Sequence, residues 1–299
     1  MPAQGVPPAE VEIDEALIDR LVTEQCPEFA GESVRYVAAG WDNELYRLGD
    51  HHVVRLPRRQ LGANLVEHEQ RWLPSLAAHL PLPIPAPVFA GRPSAAFKWH
   101  WSVCPWFEGE PASEVPLVDP LEDARRLARF VSALHRPAPV DAPLNPYRGQ
   151  PLADRDAITR ERAAALVDLI DSAAVLAAWE RALATPPWDG PPIWLHADLH
   201  PGNVIVHHGR ESAVVDFGDI CGGDPATDLV IAWSLFDDAA RSEFRSVVDV
   251  DVETWERGRG WAITHSLAVL SSSADHPAYT AFGRRSLAAA TEGGIDLQT

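Results

Sequence analysis

Two short polar segments, His196–Asn203 and Asp216–Gly218, contain the side chains whose types and spacing best suit chemistry. In the first segment, Asn203 follows Asp198 by five positions across a Pro-Gly turn. A carboxylate on such a loop can accept a hydroxyl proton, and an amide oxygen and a second carboxylate, that of Asp216, are oxygen ligands that suit Mg²⁺. Phosphoryl transfer requires these parts, because the protein must orient a hydroxyl group and hold Mg²⁺ on the phosphates. The spacing therefore predicts a Mg²⁺-dependent phosphoryl-transfer centre.

Strands and helices must position these two segments. Two short β-rich runs, 204–207 and 213–216, are separated by His208-Gly209-Arg210 and predict two strands joined by a turn. Helical periodicity dominates the C-terminal part of the chain, where apolar residues recur three and four positions apart. The predicted helices are 121–135, 155–184, 226–236 and 252–273.

The N-terminal part of the chain is rich in short β-type runs separated by turn residues, a pattern that predicts an antiparallel meander. Asp14 is the expected N-cap of a helix that reaches Glu24. A second helix is expected at 64–79, because the proline-rich 81–87 cannot continue it. The expected strands are 33–38, 44–48, 52–56, 88–89 and 99–106.

These elements predict an α+β fold with two lobes. Residues 1–107 are expected to form a small lobe with an antiparallel β-sheet and one helix. Residues 108–299 are expected to form a larger, mainly helical lobe, with the connection near 106–110. A length of 299 residues with 46% hydrophobic residues is sufficient for two such lobes.

The composition is acidic, with 43 Asp and Glu against 25 Lys and Arg and a net charge of −18. Such a chain repels nucleic acid and anionic membranes, and we expect neither as a partner. The charge either attracts a cationic small molecule or simply keeps the protein soluble. We expect a cytoplasmic protein, since the sequence shows no leader or apolar span and its three cysteines are far apart.

The segments HADLHPGNVIV and VVDFGDICGGDPATDLVIAW resemble the signature of the aminoglycoside phosphotransferase family, whose relatives include choline kinases and eukaryotic protein kinases. The upstream segments AGWDNELYRLGDHHVVRLPRR, LVEHEQRWLPSL and WSVCPWFEGE extend the likeness over about residues 34–233. The resemblance implies a protein-kinase-like fold. Its N-terminal lobe would bind ATP or GTP, and its C-terminal lobe would carry the catalytic residues and bind the acceptor.

Residue roles follow from the resemblance at matching positions. Asp198 would be the catalytic base or the residue that orients the hydroxyl group, and Asn203 and Asp216 would bind Mg²⁺. His196 would support the loop by packing. Asp228 would be a buried carboxylate that hydrogen-bonds the loop backbone.

The nucleotide-binding residues depart from the family pattern. Protein kinases use a strand lysine paired with a helix glutamate, but the only lysine here, Lys98, lies on a later strand. Arg55 occupies the position of that lysine, and its guanidinium can bind phosphate oxygens and remains charged. Its partner on the next helix is Glu69 or, alternatively, Glu67. Gly40 and Asn43, in a loop with a single glycine, are further candidates for binding the phosphates. Trp106 and Phe107 are candidates for contact with the adenine, although Trp106 could equally be a core residue.

Family enzymes bind the acceptor over the helical lobe, often against carboxylates. The candidates are Asp237, Asp238, Glu253 and Glu256, although solvated helix ends are the more common explanation for such carboxylates. The expected acceptor is therefore a small, cationic, hydroxylated molecule such as an aminoglycoside antibiotic. The alternatives are a sugar, a choline-like amine or an amino-acid alcohol, a macrolide, or a catalytically silent nucleotide-binding protein. The chain would act as a monomer or a homodimer.

Overall fold

The computed structural model of the protein describes residues 7–273 and 276–292, which divide into two units. The N-terminal unit contains the described residues up to Glu108 together with Ala213–Gly218. The C-terminal unit contains Gly109–Ser212 and the described residues from Asp219 onwards. The segment Asp216–Gly218 therefore packs with the N-terminal unit, although it lies far along the chain.

A five-stranded antiparallel sheet forms the N-terminal unit, with strand order β1-β2-β3-β5-β4. Its first three strands confirm the predicted meander to within one residue at each end, because alternating side chains and turn residues mark them clearly. Strand β4 ends two residues later than the expected 88–89, and β5 is shorter than the expected 99–106. The strands are β1 (Val34–Ala39), β2 (Asn43–Leu48), β3 (His52–Pro57), β4 (Phe89–Gly91) and β5 (Trp101–Pro105).

Two helices accompany this sheet. Helix α1 (Glu15–Gln25) begins as predicted, because the Asp14 carboxylate accepts the Leu17 N–H at 2.8 Å. Helix α2 (Gln60–Ala77) begins four residues earlier than predicted. Its buried face includes Val66, Leu73 and the acidic Glu69.

The C-terminal unit is mainly helical. The predicted single helix 155–184 is wrong: the chain forms two helices, interrupted where the Asp171 carboxylate accepts the N–H groups of Ala173 and Ala174. This capping competes with continuation of the first helix. The helix expected at 226–236 begins instead as a tight 3-10 turn, Pro225–Leu229. The helices are α3 (Pro120–Leu134), α4 (Asp156–Ala165), α5 (Ser172–Leu183), α6 (Val230–Leu235), α7 (Asp238–Val247), α8 (Val252–Ser272) and α9 (Pro277–Thr291).

Short strands complete this unit. Strands β6 (Glu110–Pro111), β8 (Val204–His207) and β9 (Arg210–Val214) form one small sheet, and β7 (Ile193–Leu195) pairs antiparallel with β10 (Cys221–Gly223). The β8–β9 turn consists of His208 and Gly209, both with positive φ, which matches the right-handed twist of a tight hairpin. Strand β9 begins three residues before the predicted strand.

Helix α8 is the centre of the C-terminal core and is buried along most of its length. Trp179, Trp233 and Trp261 are fully buried in this unit, and Trp101 is fully buried in the other. Many of the tryptophans are therefore core residues. Within the described ranges, no helix combines the length and apolar character that crossing a membrane requires.

A buried ion pair connects α8 to the turn before α6. Arg257 Nε lies 2.8 Å from Asp224 Oδ2, and both side chains are less than 5% exposed. Asp224 also accepts the Ala226 N–H at 3.0 Å, so it caps the 3-10 turn. Removal of either partner would leave an uncompensated charge in the core.

We expect Arg257→Ala to lower the free energy of unfolding by about 3–5 kcal/mol, because Asp224 would remain buried without its partner. Urea denaturation followed by tryptophan fluorescence measures the change. The control is Arg284→Ala, which removes an exposed arginine of α9 and should change stability by less than about 0.5 kcal/mol. Equal losses in both variants would contradict a special role for the buried pair.

Candidate functional site

The loop that follows β7 is held by one buried carboxylate. Asp228 accepts the His196 N–H at 2.9 Å and the Ala197 N–H at 2.8 Å, and His135 Nε2 lies 3.2 Å from the same group. The Asp228 side chain is fully buried. The predicted contact between Asp228 and the loop backbone is confirmed.

This carboxylate stabilises an unusual backbone conformation. Ala197 has a φ of 68°, in the left-handed region, which costs a residue with a Cβ atom about 1–2 kcal/mol. Hydrogen bonds to a charged acceptor contribute about 1.5–3 kcal/mol each and can offset that cost. Asp198 follows Ala197 directly, so the constrained backbone of Ala197 also fixes the position from which the Asp198 side chain extends.

Side chains of the loop form hydrogen bonds to the backbone of the same loop. The buried His196 accepts the Asp198 N–H at its Nδ1 at 3.2 Å, which gives it the supporting position expected from the sequence. His200 Nδ1 accepts the Gly202 N–H at 3.0 Å. Asn203 Nδ2 donates to the Asp198 carbonyl oxygen at 2.9 Å, so the two functional positions are directly linked.

Asp198 is surrounded by basic side chains. Arg148 Nη2 lies 3.2 Å from Asp198 Oδ1, His200 Nε2 lies 3.6 Å from Oδ2, and His265 Nε2 lies 3.9 Å from Oδ1. Burial alone would raise the pKa of Asp198, but His200 and Arg148 outweigh it and hold that pKa well below the usual range. Asp198 is therefore an ionised carboxylate at neutral pH.

His265 does not add a positive charge to this group. Burial, followed by repulsion from Arg148 and His200, lowers the pKa of His265 to about 3. The ring is therefore neutral at physiological pH, and it packs against Phe282. Arg148 is left as the permanent cation beside Asp198.

In the N-terminal unit, Arg55 joins two acidic side chains. Its Nη2 lies 3.1 Å from Glu69 Oε1 and 3.6 Å from Asp216 Oδ1. Of the two glutamates that the sequence leaves open, Glu69 is the partner, while Glu67 pairs with His100 at 3.2 Å. The Arg55 and Glu69 side chains are buried, whereas that of Asp216 is 58% exposed.

Burial has opposite effects on the two members of this pair. It raises the pKa of Glu69 to about 7 against the opposing effect of Arg55, and Asp216 raises it further. Burial lowers the pKa of Arg55, but Glu69 and Asp216 more than reverse that effect and raise it. The Phe217 N–H also hydrogen-bonds Glu69, so α2 holds the segment that carries Asp216.

The loop between β1 and β2 is a short hairpin turn. The Gly40 N–H donates to the Asn43 carbonyl oxygen at 2.8 Å, so this N–H is already occupied. Arg59 Nη2 contacts Asp42 at 2.5 Å and stabilises the loop.

Elsewhere in the same unit, the half-buried Trp106 lies under the Arg47 guanidinium at 4.2 Å and is not a core residue.

The residues proposed for Mg²⁺ fit that ion chemically. Because the Asn203 amide nitrogen is used by the loop, its Oδ1 is the free end, and no donor to it occurs among the described residues. Asp216 offers an exposed carboxylate from a backbone with a φ of 63°. No group of three His, Cys, Asp or Glu suited to a metal occurs in the part of the chain that the structure describes. One carboxylate and one amide oxygen suit Mg²⁺, which retains waters and binds substrate phosphates.

A cavity of about 510 Å³ opens in the C-terminal unit. Arg148, which contacts Asp198, lines it together with residues of α4 and α8. This volume suits a small molecule. The lining residues are Tyr147, Arg148, Arg155, Ile158, Arg162, Asp219 and Ala268.

None of the four carboxylates predicted for the acceptor lines this cavity. Asp237 caps the start of α7 by accepting the Ala240 N–H at 2.9 Å. Asp238 is exposed and pairs with Arg241, and Glu256 pairs with Arg259 at 3.2 Å. Glu253 is exposed in the first turn of α8.

Sequence reasoning missed the basic residues that surround Asp198. Arg148 lies in the irregular segment between α3 and α4, where no periodicity or motif marks it. His265 lies within α8, where it resembles any other buried residue of the helix. The sequence does contain a pattern that could have identified Arg155 and Arg162, because a spacing of seven residues places them on one face of a helix.

Comparisons with known proteins give matches over most of the chain. A model of the phosphotransferase enzyme family (APH) matches residues 33–261, while a comparison with curated proteins gives no match. The chain is similar to wild-type aminoglycoside 2'-phosphotransferase-IIIa in its GDP complex, with 19% identity, a TM-score of 0.67, and coverage of 93% of this chain and 99% of that one. It is also similar to APH(2'')-IIa with streptomycin and ATP (18% identity, TM-score 0.56, coverage 86% and 91%). A third similar structure is macrolide 2'-phosphotransferase MphH from Brachybacterium faecium (21% identity, TM-score 0.57, coverage 94% and 99%). These likenesses confirm the α+β fold of protein-kinase type.

We expect Asp228→Asn to loosen the loop. The asparagine amide has one oxygen and one NH2 group, so its NH2 group would replace one of the two oxygens that now accept the backbone N–H groups. Loss of a satisfied buried hydrogen bond costs about 1–3 kcal/mol, so local exchange at His196 and Ala197 should become about 5- to 150-fold faster. Hydrogen-exchange mass spectrometry measures this rate. The control, Asp171→Asn, alters another carboxylate that accepts two backbone N–H groups and should leave this peptide unchanged. Unchanged exchange in Asp228→Asn would contradict the assignment.

Proposed function

The chain belongs to the phosphotransferase enzyme family, and we propose that it transfers the γ-phosphate of ATP or GTP to a hydroxyl group of a small molecule. The observation that carries this proposal is the ionised Asp198, held on a loop that Asp228 constrains and directly linked to Asn203. A carboxylate fixed in this way can orient an acceptor hydroxyl and receive its proton as the O–P bond forms.

The low pKa of Asp198 affects its role. A carboxylate that is strongly stabilised as an anion is a weak base, so it would take the proton late, after most of the bond to the leaving nucleotide is broken. That order suits a loose, metaphosphate-like transition state, in which positioning matters more than base strength. Arg148, 3.2 Å from Asp198, keeps the carboxylate ionised and oriented.

Asn203 and Asp216 would hold Mg²⁺ through their side-chain oxygens. The bound metal would neutralise charge on the nucleotide phosphates. Arg55 would contact the same phosphates. Its Nε is buried and has no hydrogen-bond partner within the described residues, and a buried donor of this kind needs an acceptor. Gly40, Asn43, Trp106 and Phe107 remain candidates for contact with the rest of the nucleotide.

Two chemical classes are candidates for the acceptor of this reaction. The similar structures include one with streptomycin and a macrolide phosphotransferase, which supports an antibiotic such as an aminoglycoside as one candidate. The cavity that Arg148 lines also contains Arg155 and Arg162, which does not favour a polycation there. A metabolic hydroxyl compound is therefore the second candidate. A cytoplasmic location and a monomeric or homodimeric state remain the expectations for either.

A nucleotide-release screen tests the proposed function. Purified protein, Mg²⁺ and ATP or GTP are combined with aminoglycosides, macrolides, sugars, hydroxy acids, sugar phosphates and choline, and ADP or GDP release is measured. Release that depends on an acceptor, with a phosphorylated product in the mass spectrum, is the expected result. Nucleotide binding without release for any acceptor would favour the binding-protein alternative.

We expect Asp198→Ala to lower kcat by about 10²- to 10⁴-fold, because the hydroxyl group would lose its orienting carboxylate. The Kd of the Mg-nucleotide should change little, since Asp198 would act on the acceptor. Steady-state kinetics and a nucleotide titration measure the two effects. Asp249→Ala, which removes an exposed carboxylate of the same unit, is the matched control. Full turnover by Asp198→Ala would overturn the assignment.

We expect Arg55→Ala to raise the nucleotide KM by about 10- to 100-fold, which corresponds to loss of a charged hydrogen bond of about 1.5–3 kcal/mol. Arg55→Lys, which keeps the charge paired with Glu69, should recover part of the loss. Arg35→Ala, an exposed arginine on β1 of the same sheet, is the control. Unchanged nucleotide kinetics in folded Arg55→Ala would show that another base binds the phosphates.

A further inference from the structure

The cavity beside Arg148 has an unusual balance of charge. Three arginines line it, Arg148, Arg155 and Arg162, against one carboxylate, Asp219. Arg148 is paired with Asp198, and Asp219 accepts a hydrogen bond from Asn145 Nδ2 at 2.6 Å. Neither Arg155 nor Arg162 forms an ion pair among the residues that the structure describes.

Helical geometry brings the two unpaired arginines together. Arg155 immediately precedes α4 and Arg162 lies seven residues later, so both face the same side as Ile158, which also lines the cavity. Both side chains are half-buried. Arg160 on the same helix provides a contrast, because it pairs with Asp156 at 2.8 Å and with Glu180 outside the cavity.

This arrangement is costly without a ligand. Burial and repulsion from Arg148 lower the pKa of Arg155, and burial, Arg155 and Arg148 lower that of Arg162. The Nε of Arg155 is buried and has no hydrogen-bond partner within the described chain. Asp154 opposes this effect at Arg155 and Glu161 opposes it at Arg162, but among the described residues neither carboxylate forms an ion pair with these guanidinium groups. An anion would satisfy the donors and reduce the repulsion.

We infer that the acceptor carries an anionic group, a carboxylate or a phosphate, and that Arg155 and Arg162 bind this group while the hydroxyl to be phosphorylated approaches Asp198. The inference rests on the proposed function and names the chemical class of its acceptor. A planar guanidinium group can donate two parallel hydrogen bonds to two oxygens of a carboxylate or a phosphate, and two such groups can bind one anion. A polyamine antibiotic would instead meet like charge at the same place.

A matched set of three-carbon compounds tests the inference. Glycerol is neutral, glycerate carries a carboxylate, glycerol 3-phosphate carries a phosphate, and 3-amino-1,2-propanediol carries an amine. Calorimetry measures their Kd on protein saturated with Mg²⁺ and a non-hydrolysable nucleotide, so that the nucleotide phosphate site is already occupied. The anionic compound of the correct class should bind at least about 10-fold more tightly than glycerol and the amine.

Variants then locate the anion. Arg155→Gln and Arg162→Gln should each weaken binding of that anion by about 10-fold or more and leave binding of glycerol unchanged. Arg160→Gln removes the same charge from the same helix but outside the cavity, and it should leave the anion affinity unchanged. Preference for glycerate or for glycerol 3-phosphate would distinguish a carboxylate from a phosphate.

The inference is overturned if neither anion binds more tightly than glycerol, if the amine binds as tightly as the anions, or if the two cavity variants retain full anion affinity. Failure of the proposed function looks different. In that case anions bind and depend on Arg155 and Arg162, but no acceptor in the nucleotide-release screen is phosphorylated. Phosphorylation of cationic acceptors alone would support the proposed function and overturn the inference.

Discussion

The hydrogen bonds from the His196 and Ala197 N–H groups to the buried Asp228 carboxylate are the constraint on which the loop that carries Asp198 depends. They hold Ala197 in a conformation that alanine otherwise avoids, and Asp198 follows directly. Asp228 itself lies on the turn that Asp224 caps, and Arg257 fixes Asp224 from α8. A chain of buried charge contacts therefore connects the helical core to Asp198.

Arginine has several different uses in this acidic chain. Arg257 is a buried structural partner, whereas Arg148 contacts Asp198 and lowers the pKa of its carboxyl group. Arg55 pairs with the buried Glu69 in the N-terminal unit. Arg155 and Arg162 have no carboxylate partner among the described residues, so the net charge of −18 is a poor guide to the acceptor. The local charge of the cavity is more informative, because desolvated charges interact more strongly than solvated ones.

Local patterns predicted much of the fold and indicated two candidate segments for the chemistry. The meander was recognisable from strands and turn residues, and Asp14 marked the start of α1 because capping is a local interaction. The break between α4 and α5 was missed, since helical periodicity continues across Asp171 although its side chain caps a new helix. Arg148 could not be predicted, because only the tertiary fold brings the irregular segment before α4 to Asp198. The choice between Glu67 and Glu69 likewise required the rotation of α2 against the sheet.

In the proposed reaction, the acceptor hydroxyl is presented to Asp198 from the cavity that Arg148 lines. A crystal structure with Mg²⁺, a non-hydrolysable nucleotide and the best acceptor from the screen would show this contact. We predict the acceptor hydroxyl about 2.6–3.2 Å from an Asp198 carboxylate oxygen. We also expect the anionic group of the acceptor to lie on Arg155 and Arg162. An acceptor bound instead against Asp237, Asp238, Glu253 or Glu256, with no contact to Asp198, would show that this placement is wrong.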